Sequence, residues 1–211
     1  HEIKNPLTPI QLTIDRLKNK YSSQLSEKDK SNFKENLKII NNQIKQIEKL
    51  VNEFSDFARM PKPIFQKNDL AELIIENIKL LQELEASIEI KFESNFPKIN
   101  LESDKEQLSR VFLNLIKNSI ESIQQKVQND NNTNKKIDIE LNDHDDHINL
   151  TIIDTGIGFK NLKSNIKDIL NPYFTTKKNG TGLGLSIVNK IINDHNGNIE
   201  FIPINDGAKI K

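Results

Sequence analysis

Residues 148–159 read INLTIIDTGIGF, and this stretch decides the fold of the larger part of the chain. Apolar residues alternate at Ile148, Leu150 and Ile152, which predicts a β-strand with one buried face. The strand runs into Asp154, and the glycines that follow permit a tight turn and the close approach of a ligand. A carboxylate at such a turn can accept a hydrogen bond from an amino group, although a plain β-turn also accounts for the pattern.

Helical and strand patterns surround this central strand. Ser103 and Glu106 form a capping-box pair, which predicts the start of a helix. Asn196-Gly197 predicts the end of another helix, because both residue types adopt the left-handed conformation that terminates helices. The pattern indicates an α+β two-layer sandwich with an antiparallel sheet. The predicted helices are 68–84, 103–126 and 183–195, and the predicted strands are 88–92, 99–101, 137–141, 148–152, 199–201 and 208–210.

The beginning of the chain has a pattern typical of two amphipathic helices. Apolar residues recur at spacings of three and four, and a loop at 22–30, with Ser26 as the expected N-cap, joins the helices. Two narrow stripes cannot enclose a core, so we expect a homodimer with a four-helix bundle; the alternative is a hairpin that packs on its own second domain. The stripes consist of Ile3, Leu7, Ile10, Ile14 and Leu17, then Phe33, Leu37, Ile40, Ile44, Ile47, Val51, Phe54 and Ala58.

Met60-Pro61-Lys62-Pro63 interrupts the helical pattern, because proline lacks a backbone N–H and restricts the residue before it. We therefore predict a helical hairpin at 1–60, a linker at 61–66 and a second domain at 67–211.

The composition excludes several classes of function. The 30 Lys and Arg residues balance 30 Asp and Glu residues, which argues against a generally basic nucleic-acid binder. Cysteine is absent, so the chain has no disulfide, thiol nucleophile or zinc–cysteine site. No apolar run approaches the roughly 20 residues of a membrane-spanning helix. Because the chain begins with His1 and not with Met, we expect it to be a piece of a longer protein.

Three further constellations hold candidate functional side chains. His1 and Glu2 lie off the apolar stripe, where an imidazole beside a carboxylate can act as a nucleophile, although a solvated surface pair is commoner. Asn114 and Asn118 lie one helical turn apart, and amide oxygens can bind Mg²⁺; in a chain so rich in Asn the pair can also be incidental. Residues 180–185 precede a helix, where backbone N–H groups favour phosphate, or they form only a glycine-rich hinge.

In this order, these motifs resemble the core of a sensor histidine kinase. The resemblance covers essentially the whole chain. It implies a dimerisation and phosphoacceptor hairpin followed by an ATP-binding domain of the gyrase, Hsp90, histidine kinase and MutL (GHKL) type. The sequence HEIKNPLTPIQL, which begins at His1, further resembles nitrogen-regulation kinases of the NtrY type. The matching stretches are the H box at 1–6, the N box at 114–121, the first G box at 154–158, the F box at 172–177 and the second G box at 180–185.

The resemblance also implies a role for each matching residue. His1 would attack the γ-phosphate of ATP, Glu2 would accept its proton, and Asn5 would orient a water when the kinase works in reverse as a phosphatase. Asn118 would coordinate Mg²⁺, and Asp154 would bind adenine. The other residues implied in nucleotide binding are Asn114, Gly156, Gly158, Phe174, Lys177, Gly180, Thr181, Gly182, Leu183, Gly184 and Leu185.

The implied function is that of a two-component sensor histidine kinase, which autophosphorylates His1 from MgATP and passes the phosphoryl group to an aspartate of a response regulator receiver domain. The implied cofactors are ATP and Mg²⁺, and the implied partners are a second copy of the chain and the regulator. The resemblance implies that this chain is the cytoplasmic portion of a bacterial inner-membrane protein. Contact with the membrane would be made only by segments outside this chain. Two alternatives stay open: a clamp-closing ATPase of the same fold, and a degenerate kinase that acts as a dimeric scaffold.

Overall fold

The chain divides into two compact units in a computed structural model that describes residues 7–22, 24–129, 134–144, 146–159, 166–177 and 180–211. The first unit extends through Met60 and includes Thr175–Leu183, and the second consists of Pro61–Phe174 and Gly184–Lys211. No helix in the described part of the chain is long and apolar enough to cross a membrane.

Two helices account for most of the first unit. Helix α1 spans Leu7–Tyr21 and helix α2 spans Glu27–Ala58. Ser26 caps α2 as predicted, because its side chain accepts a hydrogen bond from the N–H of Asp29 at 3.3 Å. The predicted pair of amphipathic helices is therefore present.

The apolar stripe of α2 divides into two rows. One row, which includes Leu37 and Ile44, is buried against Ile14 of α1. The other row lies on the surface, with exposed fractions of 44 % for Ile40, 47 % for Ile47 and 43 % for Phe54. Regularly spaced large apolar side chains at this exposure are typical of a face that another helix covers.

The second unit contains a five-stranded sheet, a two-stranded sheet and three α-helices among its described residues. Its elements are β1 (Gln66–Asp69), α3 (Leu70–Leu84), β2 (Glu89–Ser94), β3 (Asn100–Ser103), α4 (Lys105–Asn129), β4 (Lys136–Asp143), β5 (Ile148–Asp154), a 3₁₀ turn (Ile166–Leu170), α5 (Gly184–Asp194), β6 (Phe201–Pro203) and β7 (Ala208–Ile210). The large sheet has the order β2-β4-β5-β7-β6, and β1 pairs separately with β3. This confirms the predicted helical hairpin followed by an α+β sandwich.

The core of the sandwich lies between the helices and the large sheet. Ile137, Ile139 and Leu141 of β4 are buried, as the alternating pattern predicts. Helix α4 contributes Phe112, Ile116 and Ile123, which recur at helical spacing and are almost completely inaccessible. The other side chains of this unit that are buried to the same degree include Leu73, Ile74, Ile99, Ile137, Ile139, Leu141, Ile152 and Ile191.

Three sequence predictions about this unit are wrong in detail. The helix predicted from Asn68 begins at Leu70, because Asn68 and Asp69 pair with β3 and the Asp69 side chain caps the helix. The predicted cap Ser103 is buried in β3, and the N–H of Gln107 donates instead to Asp104 Oδ1 at 3.0 Å. The large sheet is not wholly antiparallel, since β2 and β4 run parallel.

The segment that follows Met60 is held by the second unit. The Gln107 amide donates to the Pro61 carbonyl at 3.0 Å, and the Ile64 N–H donates to Asp104 Oδ2 at 2.9 Å. The Asp104 N–H in turn donates to His195 Nε2 at 3.0 Å. The predicted linker is therefore attached at Pro61 and Ile64 to the start of α4, which His195 contacts in turn.

Candidate nucleotide-binding site

Helix α4 places the two asparagines of the predicted N box one turn apart. The Asn114 amide group donates to the Arg110 carbonyl at 2.9 Å, which fixes the orientation of the side chain. Its Oδ1 lies beside the first residue of α5, since a β-carbon on Gly184 would be 3.4 Å away. Asn118 is half-buried. The N box thus meets the N-terminus of α5, where the backbone N–H groups of the first turn lack helical partners.

Asp154, at the end of β5, is a buried side chain that hydrogen bonds hold in place. It is only 3 % exposed. The Ser119 hydroxyl donates to Oδ2 at 3.1 Å, and the Gly156 N–H donates to Oδ1 at 2.9 Å. Burial raises the pKa of Asp154 above its usual range, although the Gly156 N–H, Ser119 and the Ala208 N–H oppose this. The carboxylate is therefore oriented and retains acceptor capacity for a ligand.

The glycines after Asp154 allow the turn to touch its neighbours. A β-carbon on Gly156 would lie 2.7 Å from the β-carbon of Ser122, so only glycine fits against α4. Gly158 has a φ of +64°, and a β-carbon there would lie 2.8 Å from the carbonyl carbon of Gly207. The first G box therefore packs tightly against both α4 and the β6–β7 turn.

The second G box is divided between the two units. Gly184 and Leu185 belong to the second unit, in the first turn of α5. The residues before them group with the helical hairpin, where the Thr181 hydroxyl donates to the Glu53 carboxylate. Those residues are Gly180, Thr181, Gly182 and Leu183, of which Leu183 is completely buried; Lys177 of the F box belongs to the same unit.

The F box forms a turn after the 3₁₀ segment. The Phe174 N–H donates to the Asn171 carbonyl at 3.2 Å. Tyr173 has a φ of +69°, a conformation that bulky residues rarely adopt, and its side chain is exposed. His1, Glu2 and Asn5 lie outside the described residues, so their roles stay predictions.

The donor set fits a magnesium–nucleotide complex better than a metal ion alone. Among the residues that the structure describes, no group of three or more His, Cys, Asp or Glu side chains could hold a metal. The amide oxygen of Asn118 is a hard ligand, and Mg²⁺ commonly completes its shell with phosphate oxygens and waters. The Asp154 carboxylate, oriented by the Gly156 N–H, suits a base with an amino group.

A family model described as histidine kinase-, DNA gyrase B- and HSP90-like ATPase matches residues 103–210. The chain belongs to this ATPase family. Residues 1–63 match a second model, the His Kinase A phospho-acceptor domain. The predicted combination of a histidine kinase hairpin and a GHKL-type domain is confirmed by these two matches.

Curated relatives place this ATPase chain close to the NtrY type, as the sequence indicated. The chain is 37 % identical over 214 residues to nitrogen regulation protein NtrY of Azorhizobium caulinodans, and covers 27 % of that protein. It is 37 % identical over 201 residues, 95 % of its own length, to a protein of Rickettsia felis named as an NtrY-like sensor histidine kinase, of which it covers 32 %. The chain therefore spans about a third or less of these relatives.

A solved structure of a histidine kinase, ThkA, in complex with the response regulator protein TrrA resembles the whole chain. The TM-score is 0.67 at 28 % identity, with 100 % of this chain and 57 % of the other covered. The likeness supports the sequence-based expectation of a kinase core in the GHKL class.

Sequence reasoning missed several residues that build the ATPase site. Ser122 Oγ accepts a hydrogen bond from the Ile157 N–H at 3.1 Å, and the Lys126 ammonium donates to the Thr155 carbonyl at 2.9 Å. Ser119, Ser122 and Lys126 recur at intervals of three and four along α4. They form a polar row next to the row of apolar residues. That periodicity was the available signal, but it does not indicate which loop the row contacts.

Proposed function

We propose that this chain is the ATP-dependent phosphotransfer core of a two-component sensor histidine kinase. The observation that carries the proposal is the buried Asp154 carboxylate, fixed by Ser119 and the Gly156 N–H beside the helix that holds Asn114 and Asn118. A carboxylate oriented in this way can accept a hydrogen bond from the exocyclic amine of adenine. The upstream hairpin, with its His-Glu pair, favours a kinase over a clamp-closing ATPase.

Phosphoryl transfer depends mainly on positioning and on charge neutralisation. Asp154 would hold the base, and Asn118 would provide an amide oxygen to Mg²⁺. Bound Mg²⁺ would neutralise charge on the phosphates of ATP. A His1 imidazole nitrogen would bond to the γ-phosphorus as the bond from that phosphorus to the ADP oxygen breaks, and Glu2 would accept the imidazole proton.

The remaining motif residues would hold the phosphates and cover the nucleotide. Backbone N–H groups at the start of α5 favour anions, and the helix dipole adds to this preference. We assign the phosphate side to these groups and to Lys177, and the covering segment to the stretch that contains Phe174. The residues assigned to the phosphate side with Lys177 are Gly180, Thr181, Gly182, Leu183, Gly184 and Leu185.

The hairpin would dimerise through the exposed row of α2. Ile40, Ile47 and Phe54 present apolar area at heptad spacing that a second copy of the chain would bury. The receiver domain of a response regulator would then take the phosphoryl group from His1 onto an aspartate. We expect the chain to be the cytoplasmic portion of an inner-membrane kinase, and Asn5 to support the reverse, phosphatase reaction.

We also propose the domain division 1–60, 61–66 and 67–211, with any rotation between the domains concentrated just before Pro61. The support is the attachment of Pro61 and Ile64 to Gln107 and Asp104 on one side, and of the Arg59 N–H to the Ser55 carbonyl on the other. Met60 lies between these two attached stretches.

The decisive experiment measures phosphate incorporated from ATP labelled at the γ-phosphorus, with Mg²⁺, in the chain and its His1→Gln variant. The expected label is stable to alkali, labile to acid and absent from the variant. His144→Gln is the matched control, because His144 is exposed in the β4–β5 turn, and it should label normally. ATP hydrolysis without protein label would favour the clamp ATPase, absence of ATP binding would favour the scaffold, and label retained in His1→Gln would refute His1 as the nucleophile.

A further inference from the structure

Three polar side chains of α4 contact successive parts of the first G box. Ser119, Ser122 and Lys126 lie on one face of the helix because they are separated by three and four residues. Ser119 donates to the carboxylate of Asp154, Ser122 accepts from the N–H of Ile157, and Lys126 donates to the carbonyl between them, that of Thr155. The turn is therefore attached to α4 at three points.

Lys126 differs from the two serines because it also reaches a second loop. Its ammonium pairs with the Asp206 carboxylate in the β6–β7 turn, 80 residues further along the chain. The next residue, Gly207, has a φ of +94°, and a β-carbon there would lie 2.6 Å from the carbonyl carbon of Asp154. Lys126 thus joins two loops that already touch each other at the base-binding aspartate.

The second loop also packs against the backbone of Asp154. Ala208, which follows Gly207, is the partner of Asp154 in the β5–β7 register, and its backbone N–H opposes the rise that burial causes in the pKa of Asp154. A shift of the 206–207 turn would therefore move the backbone that packs against Asp154, whose carboxylate Ser119 and the Gly156 N–H orient. The Lys126 side chain is only 25 % exposed, so water replaces its contacts poorly.

We propose that Lys126 is a positioning residue that sets the preference of this site for a purine with an amino group at position 6. The inference rests on the proposed function, in which Asp154 accepts a hydrogen bond from adenine. Lys126 acts through its contacts with Thr155 and Asp206. By holding both loops, it keeps the Asp154 carboxylate oriented so that one of its oxygen lone pairs points at the ligand amine. A purine with an oxo group at the same position offers no donor there and gains nothing from this alignment.

The test compares ADP with inosine diphosphate, which differs at that position, by titration calorimetry of the full chain with Mg²⁺. In Lys126→Met, which keeps the aliphatic stem, we expect the Kd for ADP to rise roughly 10-fold, the effect of losing a charge-assisted hydrogen bond. The Kd for inosine diphosphate should change by less than about 2-fold, so the preference for ADP falls. Lys126→Arg should restore most of it, because guanidinium can donate to both the carbonyl and the carboxylate.

Lys105→Met is the matched control, because Lys105 lies on the same helix and pairs with Glu76 at 2.8 Å but contacts neither loop. Its Kd for both nucleotides should match that of the parent chain. Asp206→Asn provides a second variant if Lys126→Met melts early, since Asp206 is 71 % exposed and its replacement leaves the core intact. Asp206→Asn should also lower the preference for ADP over inosine diphosphate, by a smaller factor than Lys126→Met.

The outcomes separate the two proposals. Equal weakening of ADP and inosine diphosphate in Lys126→Met, or no recovery in Lys126→Arg, would overturn the inference and leave Lys126 a structural contact only. An unchanged preference in Asp206→Asn would also overturn it. A parent chain that binds neither nucleotide would refute the proposed function itself, and the inference with it.

Discussion

Asp104 should contribute measurably to stability, because it holds the start of α4 and the segment after Met60 together. Its Oδ1 accepts from the Gln107 N–H at 3.0 Å and its Oδ2 accepts from the Ile64 N–H at 2.9 Å. Loss of an N-cap costs about 1 kcal/mol, and loss of one further hydrogen bond about another 1 kcal/mol. Asp104→Ala should therefore lower the free energy of unfolding by about 2 kcal/mol.

Two measurements check this expectation. For a domain of this size, about 2 kcal/mol corresponds to a fall in Tm of roughly 4–8 °C in scanning calorimetry. Hydrogen–deuterium exchange should show faster exchange at the Ile64 amide. Asp104→Asn separates the contribution of the N-cap from that of the bond to Ile64. Asparagine is as good an N-cap, so the amides at the start of α4 should stay protected from exchange. The Ile64 amide, however, loses its charged acceptor. Glu140→Gln, which removes an exposed carboxylate from β4, is the control and should change neither.

The pH dependence gives an independent check. Burial alone would raise the pKa of Asp104, but the N–H donors of Ile64, Gln107 and Glu106 overcome this and hold that pKa below its usual range. The stabilisation is therefore complete above about pH 4 and is lost as the pH falls through the lowered pKa. A destabilisation by Asp104→Ala that is the same at neutral pH and in strong acid, or unchanged exchange at Ile64, would refute the reasoning.

Three further predictions follow from the same contacts. Gly207→Ala should abolish ADP binding and lower Tm, because a β-carbon overlaps the Asp154 backbone at a left-handed φ; calorimetric binding equal to that of the parent chain would contradict this. Asp154→Asn should lose ADP binding yet raise Tm near neutral pH, because burial raises the pKa of Asp154 and its ionised form destabilises the fold; the gain should vanish below about pH 4, where the parent carboxyl is protonated. Ile47→Lys should shift the chain from dimer to monomer in analytical ultracentrifugation, whereas an unchanged mass would exclude the exposed row of α2 as the interface.

Local patterns explain what the sequence could predict. The alternation at Ile137, Ile139 and Leu141 has a period of two because one face of β4 packs on the helices, and the heptad repeat of α2 is likewise a local signal. The Asp154 turn could be recognised because the spacing of its aspartate and two glycines is a local pattern, although the contacts that require the glycines, with Ser122 and Gly207, come from other parts of the chain. In each case the residues that form the pattern also form the structure.

The features that were missed depend on partners far along the chain. Residues 66–69 are polar and form a strand only because β3 pairs with them, and Ser103 cannot cap α4 because that pairing buries it. Lys126 and Asp206 pair with each other but are 80 residues apart, so no periodic pattern in the sequence indicates their contact. The contact of Ser122 with the first G box depends on which loop packs against α4. A helical period shows which residues share a face but not which loop that face contacts.

One consequence of the way α4 contacts the site concerns changes in chain length. Asn114 and Asn118 face the phosphate side of the proposed site, and Ser119, Ser122 and Lys126 hold the base side, all on one continuous helix. Each residue turns the helix by about 100°, so a single insertion after Asn118 would rotate the three base-side contacts away from the turn at Asp154 while leaving the asparagines in place. A substitution in this segment alters one contact, whereas an insertion or deletion within it would uncouple the two halves of the nucleotide site.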